Sequence, residues 1–103
     1  MIREFNIYKK MEDKFGFKLQ TLKAIEELSE LSKVLCKILI ESEDSELCNK
    51  KFLSYNYRLN LIEEISDVLI MITQMRVTYN ISDISIENYM NEKLTACKNK
   101  FNL

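Results

Sequence analysis

The chain has 103 residues, 47% of them hydrophobic, and its 15 Lys and Arg against 16 Asp and Glu give a formal charge of −1. This length predicts a single domain over residues 1–103, and the near-neutral charge excludes the basic field that non-specific binding to nucleic acid requires. One Gly, no Pro and no His favour a few long helices and exclude catalytic units built on imidazole.

The N-terminal sequence and the cysteines indicate a soluble, cytoplasmic protein. Charged residues interrupt Met1–Phe5, where a signal peptide would be apolar, and no apolar run has membrane-spanning length. Cys36, Cys48 and Cys97 are widely separated and form no CxxC pair, which is typical of reduced thiols in the cytosol. We therefore expect no membrane partner.

Two amphipathic helices are predicted in the first forty residues. Apolar residues at spacings of three and four predict a helix from about Arg3 to Lys14, ending near Gly16. The most regular apolar period predicts the second helix from Lys18 to Ile40. Residues 41–46 are all polar or charged and predict a break. The stretch 48–57 fits either a loop or a short helical turn.

Two more helices are predicted in the second half. The third runs from about Arg58 to Tyr79, where its length favours a helix despite its β-branched residues. A break follows, with Ser82 or Asp83 as the N-cap of a fourth helix that reaches Phe101. The expected fold is therefore all-α, a bundle of four main helices.

Two acidic clusters lie within the second and third predicted helices, at residues 26–30 (EELSE) and 63–67 (EEISD). Residues three apart share a helix face, and rotation by about 100° per residue separates the six acids into two groups. Glu26 and Glu63 are directed away from the apolar stripe, towards solvent. The other four border that stripe: Glu27, Glu30, Glu64 and Asp67.

Antiparallel packing of these helices would bring the four bordering carboxylates together, and their repulsion would require a cation. Oxygen ligands without His or Cys suit Mg²⁺ or Mn²⁺, and Mg²⁺ commonly binds phosphates of a substrate such as a nucleoside triphosphate. The alternative is a solvated face, with local pairing to Lys23, Lys33 and Lys37. Such exposed pairs contribute only about 0.3–0.5 kcal/mol each.

The sequence also resembles a known family. Residues 24–31 (AIEELSEL) and 60–70 (NLIEEISDVLI) resemble the ExxE…ExxD signature of the MazG-like, all-α nucleoside triphosphate pyrophosphohydrolases, and the likeness extends from about Tyr8 to the C-terminal helix. It implies a MazG-type four-helix bundle that uses Mg²⁺ to hydrolyse a (deoxy)nucleoside triphosphate to the monophosphate and pyrophosphate. A house-cleaning role and a homodimer or homotetramer are further implications.

By this resemblance, specific residues receive roles. Mg²⁺ would lower the pKa of a water that attacks the α-phosphorus, and Glu30 is the candidate catalytic base. Gln20 is expected to face the nucleotide and Lys93 to approach the phosphates. Asn60, one turn before Glu64, is a further substrate-binding candidate, although a helix-start role fits it equally. The implied metal ligands are Glu27, Glu30, Glu64 and Asp67.

The chain departs from the family pattern in two places. The separation between Glu30 and Glu64 is longer than usual, which implies an insertion around residues 41–57. No second basic residue follows closely after Lys93, so Lys98 or Lys100 are alternative phosphate contacts. Three other functions stay open: an inactive helical interaction module, a triphosphatase that cuts at the γ-phosphate, and a phosphoribosyl-ATP pyrophosphohydrolase.

Overall fold

The computed structural model describes residues 5–43 and 54–103 of the chain. These residues form three helices and no strand: α1 (Phe5–Glu43), α2 (Tyr55–Thr78) and α3 (Asp83–Phe101). The all-α prediction is confirmed for this part of the chain. None of these helices combines the length and apolar character that crossing a bilayer requires.

A kink at Gly16 divides α1 into two helical segments. The backbone there has φ 78° and ψ 165°, a conformation that only glycine adopts at low cost. The first helix was predicted to end near this residue, and helical geometry does break there. Helical structure resumes on the other side, so that both segments belong to one 39-residue element.

The second segment of α1 runs antiparallel to α2. Near one end of the pair, the hydroxyl oxygens of Thr21 and Tyr79 are 2.6 Å apart. Near the other end, the Tyr57 hydroxyl donates a hydrogen bond to the Glu41 carboxylate. This direction of packing brings residues 26–30 opposite residues 63–67, as the sequence predicted.

The N-terminal segment of α1 is attached to α2 by a buried amide. Gln74 is 2% exposed, and its Nε2 donates a 2.9 Å hydrogen bond to the carbonyl of Tyr8. A second bond, of 3.3 Å, reaches the hydroxyl of Thr78. Since a buried amide without partners is costly, Gln74 favours the arrangement in which the N-terminal segment lies against α2.

The buried core is small and lies between α1 and α2. Its buried apolar residues are Ala24, Val68 and Met71. By contrast, α3 buries none of its residues within the described part of the chain. An ion pair between Arg76 and Asp83 joins α2 to the start of α3. The predicted four-helix bundle is therefore not established by a single chain and stays a prediction.

Helix boundaries differ from the predicted ones by a few residues. α1 continues to Glu43 rather than ending at Ile40, and α2 begins at Tyr55, before the predicted Arg58. No Gly or Pro stands there to stop either helix. The N-cap of α3 is Ser82, whose hydroxyl accepts a bond from the Ser85 amide at 3.2 Å. The remainder of the predicted break and most of the 41–57 insertion, including Cys48, lie outside the described residues.

Candidate metal centre

Three of the predicted ligands converge between α1 and α2. Glu27 comes from α1, while Glu64 and Asp67 lie one turn apart on α2. One carboxylate oxygen from each lies within 4.8 Å of the other two. Oxygen ligands on opposite sides of one Mg²⁺ are about 4 Å apart, since each Mg–O distance is about 2.1 Å. Small side-chain movements would therefore suffice to ligate one ion.

The electrostatics of Glu64 indicate that no described residue compensates the charge of this carboxylate. Its Oε2 atom is buried and has no hydrogen-bond partner among the described residues. Burial raises the pKa of Glu64 above its ordinary value, and the charges of Asp67, Glu27 and Glu30 raise it further. Both effects disfavour the ionised carboxylate, and a bound cation would reverse them.

Glu30, the fourth predicted ligand, lies at the edge of the cluster. Its charge acts on Glu64, but its oxygens are not among the three that converge. The Glu30 side chain is 44% exposed and forms a 3.5 Å ion pair with Lys33. The structure thus brings three of the four predicted ligands together and keeps Glu30 as a charged neighbour. Glu26 and Glu63 are exposed, as the helical projection predicted.

Lys23 is the nearest positive charge that the structure shows at the cluster. Its Nζ lies 3.0 Å from Glu27 Oε1 and 3.6 Å from Glu26 Oε2. The hydrogen bond to Glu27 and the charges of both carboxylates raise the pKa of Lys23. The predicted local pairing is therefore confirmed for this residue. It leaves Glu64 and Asp67 without an ion pair to any described residue.

A pocket of about 500 Å³ adjoins the cluster. Because of the kink at Gly16, both segments of α1 contribute to its wall, facing α2. Gln20, which was expected to face a nucleotide, lines this pocket and is 5% exposed. Most of the other lining is apolar. The full lining comprises Met11, Phe15, Leu19, Gln20, Lys23, Glu27, Asp67, Ile70 and Met71.

Two predicted substrate-binding residues lie away from this pocket. Asn60 is exposed on α2, one turn before Glu64, and is not among the lining residues. Lys93 lines a different hollow on α3, with its Nζ 5.3 Å from the centre of the Tyr89 ring. Neither residue contributes to the lining of the pocket beside Glu27 and Asp67.

Neither Phe15 nor Lys23 was predicted from the sequence to line a pocket. Phe15 lines the pocket, whereas Phe17, the next aromatic residue along the chain, is 55% exposed. The position of Phe15 directly before the chain's one glycine was the feature of the sequence that could have indicated this. Lys23 was interpreted only as a local ion-pair partner, although its spacing of four from Glu27 already placed it beside a predicted ligand.

The site has no counterpart that would identify it by similarity. No protein-family model, curated protein or solved structure matches the chain. The likeness to the MazG-like enzymes therefore remains a resemblance of sequence.

Proposed function

We propose that this protein is a Mg²⁺-dependent pyrophosphohydrolase that converts a (deoxy)nucleoside triphosphate to the monophosphate and pyrophosphate. One observation carries the proposal: three carboxylates converge beside a largely apolar pocket, and one of their oxygens is buried without a partner in residues 5–43 and 54–103. Repulsion among solvated surface acids would normally spread them apart. Here two helices hold them together at the wall of a cavity.

The donor set fits a hard divalent cation. Glu27, Glu64 and Asp67 supply oxygen ligands only, and the chain has no His. Such ligands suit Mg²⁺, with Mn²⁺ as the alternative. When bound, Mg²⁺ would supply charge neutralisation for the triphosphate and acidify a water molecule.

The pocket fits a nucleotide in size and lining. Its volume of about 500 Å³ lies in the range of about 300–1,000 Å³ that is usual for small-molecule sites. Phe15 and Met11 offer an apolar wall for a heterocyclic base. The Gln20 amide offers both a donor and an acceptor for the edge of the base. Two carboxylates of the cluster, Glu27 and Asp67, line the same cavity.

Different residues of the chain then have different roles in the reaction. Glu27, Glu64 and Asp67 would hold the ion, while Glu30 accepts the proton of the attacking water. The new bond forms to the α-phosphorus, the bond from that phosphorus to the bridging oxygen breaks, and pyrophosphate leaves in line. The position of Glu30 at the cluster's edge, with 44% of its side chain exposed, keeps it accessible to water.

We also propose that the working form is a homodimer or homotetramer. The chain exposes 8768 Å², against about 6,100 Å² expected for a compact monomer of this mass. Its radius of gyration is 17.2 Å, where about 13 Å is usual. The exposed apolar side chains of α3 include Ile84, Tyr89 and Leu94. Light scattering on the protein as it elutes from a size-exclusion column would reveal the assembly. A monodisperse monomer would contradict the proposed oligomer.

The function is tested by incubating the protein with ribo- and deoxynucleoside triphosphates and Mg²⁺, and separating pyrophosphate from orthophosphate. We expect pyrophosphate from at least one substrate, its loss in Asp67→Asn, and its retention in Glu63→Gln, the exposed control. Orthophosphate alone would indicate cleavage at the γ-phosphate. Phosphoribosyl-ATP is assayed in parallel, and activity confined to it would favour that substrate instead. No product from any of them would favour a helical interaction module.

A further inference from the structure

Lys23 occupies the position of a counter-ion at the candidate metal centre. Its ammonium group lies 3.0 Å from an oxygen of Glu27, one of the three converging residues. We propose that Lys23 neutralises Glu27 while the metal is absent. Once the metal is bound, the Lys23 side chain turns away from Glu27 and its ammonium group contacts the phosphates of the substrate. This inference rests on the proposed function, because it gives Lys23 a role at that same site.

The lining of the pocket supports the proposed contact between Lys23 and the phosphates. Lys23, Glu27 and Asp67 line one cavity, so an anion that enters beside the carboxylates also comes beside the lysine. The Lys23 side chain is 52% exposed and carries a flexible four-carbon stem. Its ammonium group can therefore turn from Glu27 to an entering ligand without any movement of α1.

The order of events follows from charge. With no ion present, the ammonium group offsets part of the repulsion that acts on the cluster. A divalent ion held by Glu27 would compete with Lys23 for the same carboxylate and would repel it. A triphosphate carries several negative charges on oxygen acceptors, and a lysine is a common point-charge partner for such groups. The displaced lysine then gains a stronger partner than the one it loses.

Other described lysines lack this combination of positions. Lys33 pairs with Glu30 at 3.5 Å and is 68% exposed, but it does not line the pocket. Lys93 lines a separate hollow, where no carboxylate contributes to the lining. Lys33 is therefore a matched control: it lies on the same helix and pairs with a neighbouring acid, but the cavity does not include it.

The experiment measures two affinities on three variants: Lys23→Gln, Lys23→Arg and Lys33→Gln. Mn²⁺ alone probes the metal site, and inorganic tripolyphosphate in saturating Mg²⁺ probes the phosphate site without any base. We expect Lys23→Gln to bind Mn²⁺ about two- to fivefold more tightly, because a competing cation is gone. The same variant should bind tripolyphosphate about tenfold more weakly.

These opposite signs distinguish the proposed exchange from a structural role, which would weaken both affinities together. Lys23→Arg should keep most of the tripolyphosphate affinity, and Lys33→Gln should leave both affinities within about twofold of the wild type. If Lys23→Gln binds tripolyphosphate as the wild type does, the inference is wrong. If the wild type binds no Mn²⁺, the proposed metal centre itself is wrong, and the two failures are distinguishable.

Discussion

Substitution of Glu64 by Gln should change the protein's stability in opposite directions without and with metal. Without metal, the raised pKa means that folded Glu64 holds its proton to a higher pH than unfolded Glu64 does. Wild-type stability therefore falls as the pH rises from about the ordinary value of 4.5 through the raised value. Glu64→Gln removes this dependence, and its amide can donate to the neighbouring carboxylates. At neutral pH the metal-free variant should unfold at a higher temperature than the wild type.

With Mg²⁺, the wild type should unfold at a higher temperature than Glu64→Gln. Binding to the folded state alone, at 100 times Kd, stabilises by about 2.7 kcal/mol. For a chain of 103 residues, where each kcal/mol shifts Tm by about 4–8 °C, the wild type should gain about 10–20 °C. Glu64→Gln has lost a charged ligand and should gain less than about 5 °C.

Differential scanning fluorimetry at fixed protein concentration, in EDTA and in Mg²⁺ across pH 4–8, measures both effects. Glu63→Gln is the matched control, because it removes the same charge from the exposed neighbouring residue and should respond to Mg²⁺ as the wild type does. A lower stability of Glu64→Gln in EDTA would contradict the assigned burial of an uncompensated charge. A response to Mg²⁺ equal to that of the wild type would exclude Glu64 as a ligand.

Three further substitutions test the fold around the pocket. Gly16→Ala should lower the free energy of unfolding in urea by about 1–2 kcal/mol, because φ 78° is strained for alanine even though its Cβ would meet no atom within 4 Å. An unchanged midpoint of urea unfolding would contradict the kink. Gln74→Leu should cost about 1–3 kcal/mol, because it removes the buried hydrogen bond to the Tyr8 carbonyl. The cost should exceed that of Thr78→Val, which removes only the 3.3 Å bond, and equal costs would count against the Tyr8 contact. Phe15→Ala should raise KM for the nucleotide about tenfold and leave the Mg²⁺-induced Tm shift unchanged. An unchanged KM would show that the base does not bind in this pocket.

Helical periodicity was sufficient to predict the helices but not their assembly. The apolar stripes located both segments of α1, and α2 and α3, to within a few residues, and the predicted end of the first helix coincides with the kink at Gly16. Periodicity also separated exposed Glu26 and Glu63 from the converging Glu27, Glu64 and Asp67, because exposure on a regular helix depends mainly on angle.

What the sequence left open depends on tertiary geometry. Glu30 lies on the predicted side of its helix, yet its carboxylate pairs with Lys33, and a helical projection does not resolve that choice. Lys93 was expected at the phosphates, but α3 buries no residue against the rest of the described chain. The pocket itself depends on the direction in which the chain turns at Gly16, and local propensity does not specify that direction.

The most direct test of the central claim, that Glu27, Glu64 and Asp67 form a divalent-metal site, is a Mn²⁺ titration followed by electron paramagnetic resonance of the free ion. We expect the wild-type protein and Glu63→Gln to remove the free-ion signal with similar affinity. Asp67→Asn and Glu27→Gln should each weaken Mn²⁺ binding by about 10–100-fold or more. Undiminished binding by Asp67→Asn, or a free-ion signal that the wild type leaves unchanged, would show that these carboxylates do not form a metal site.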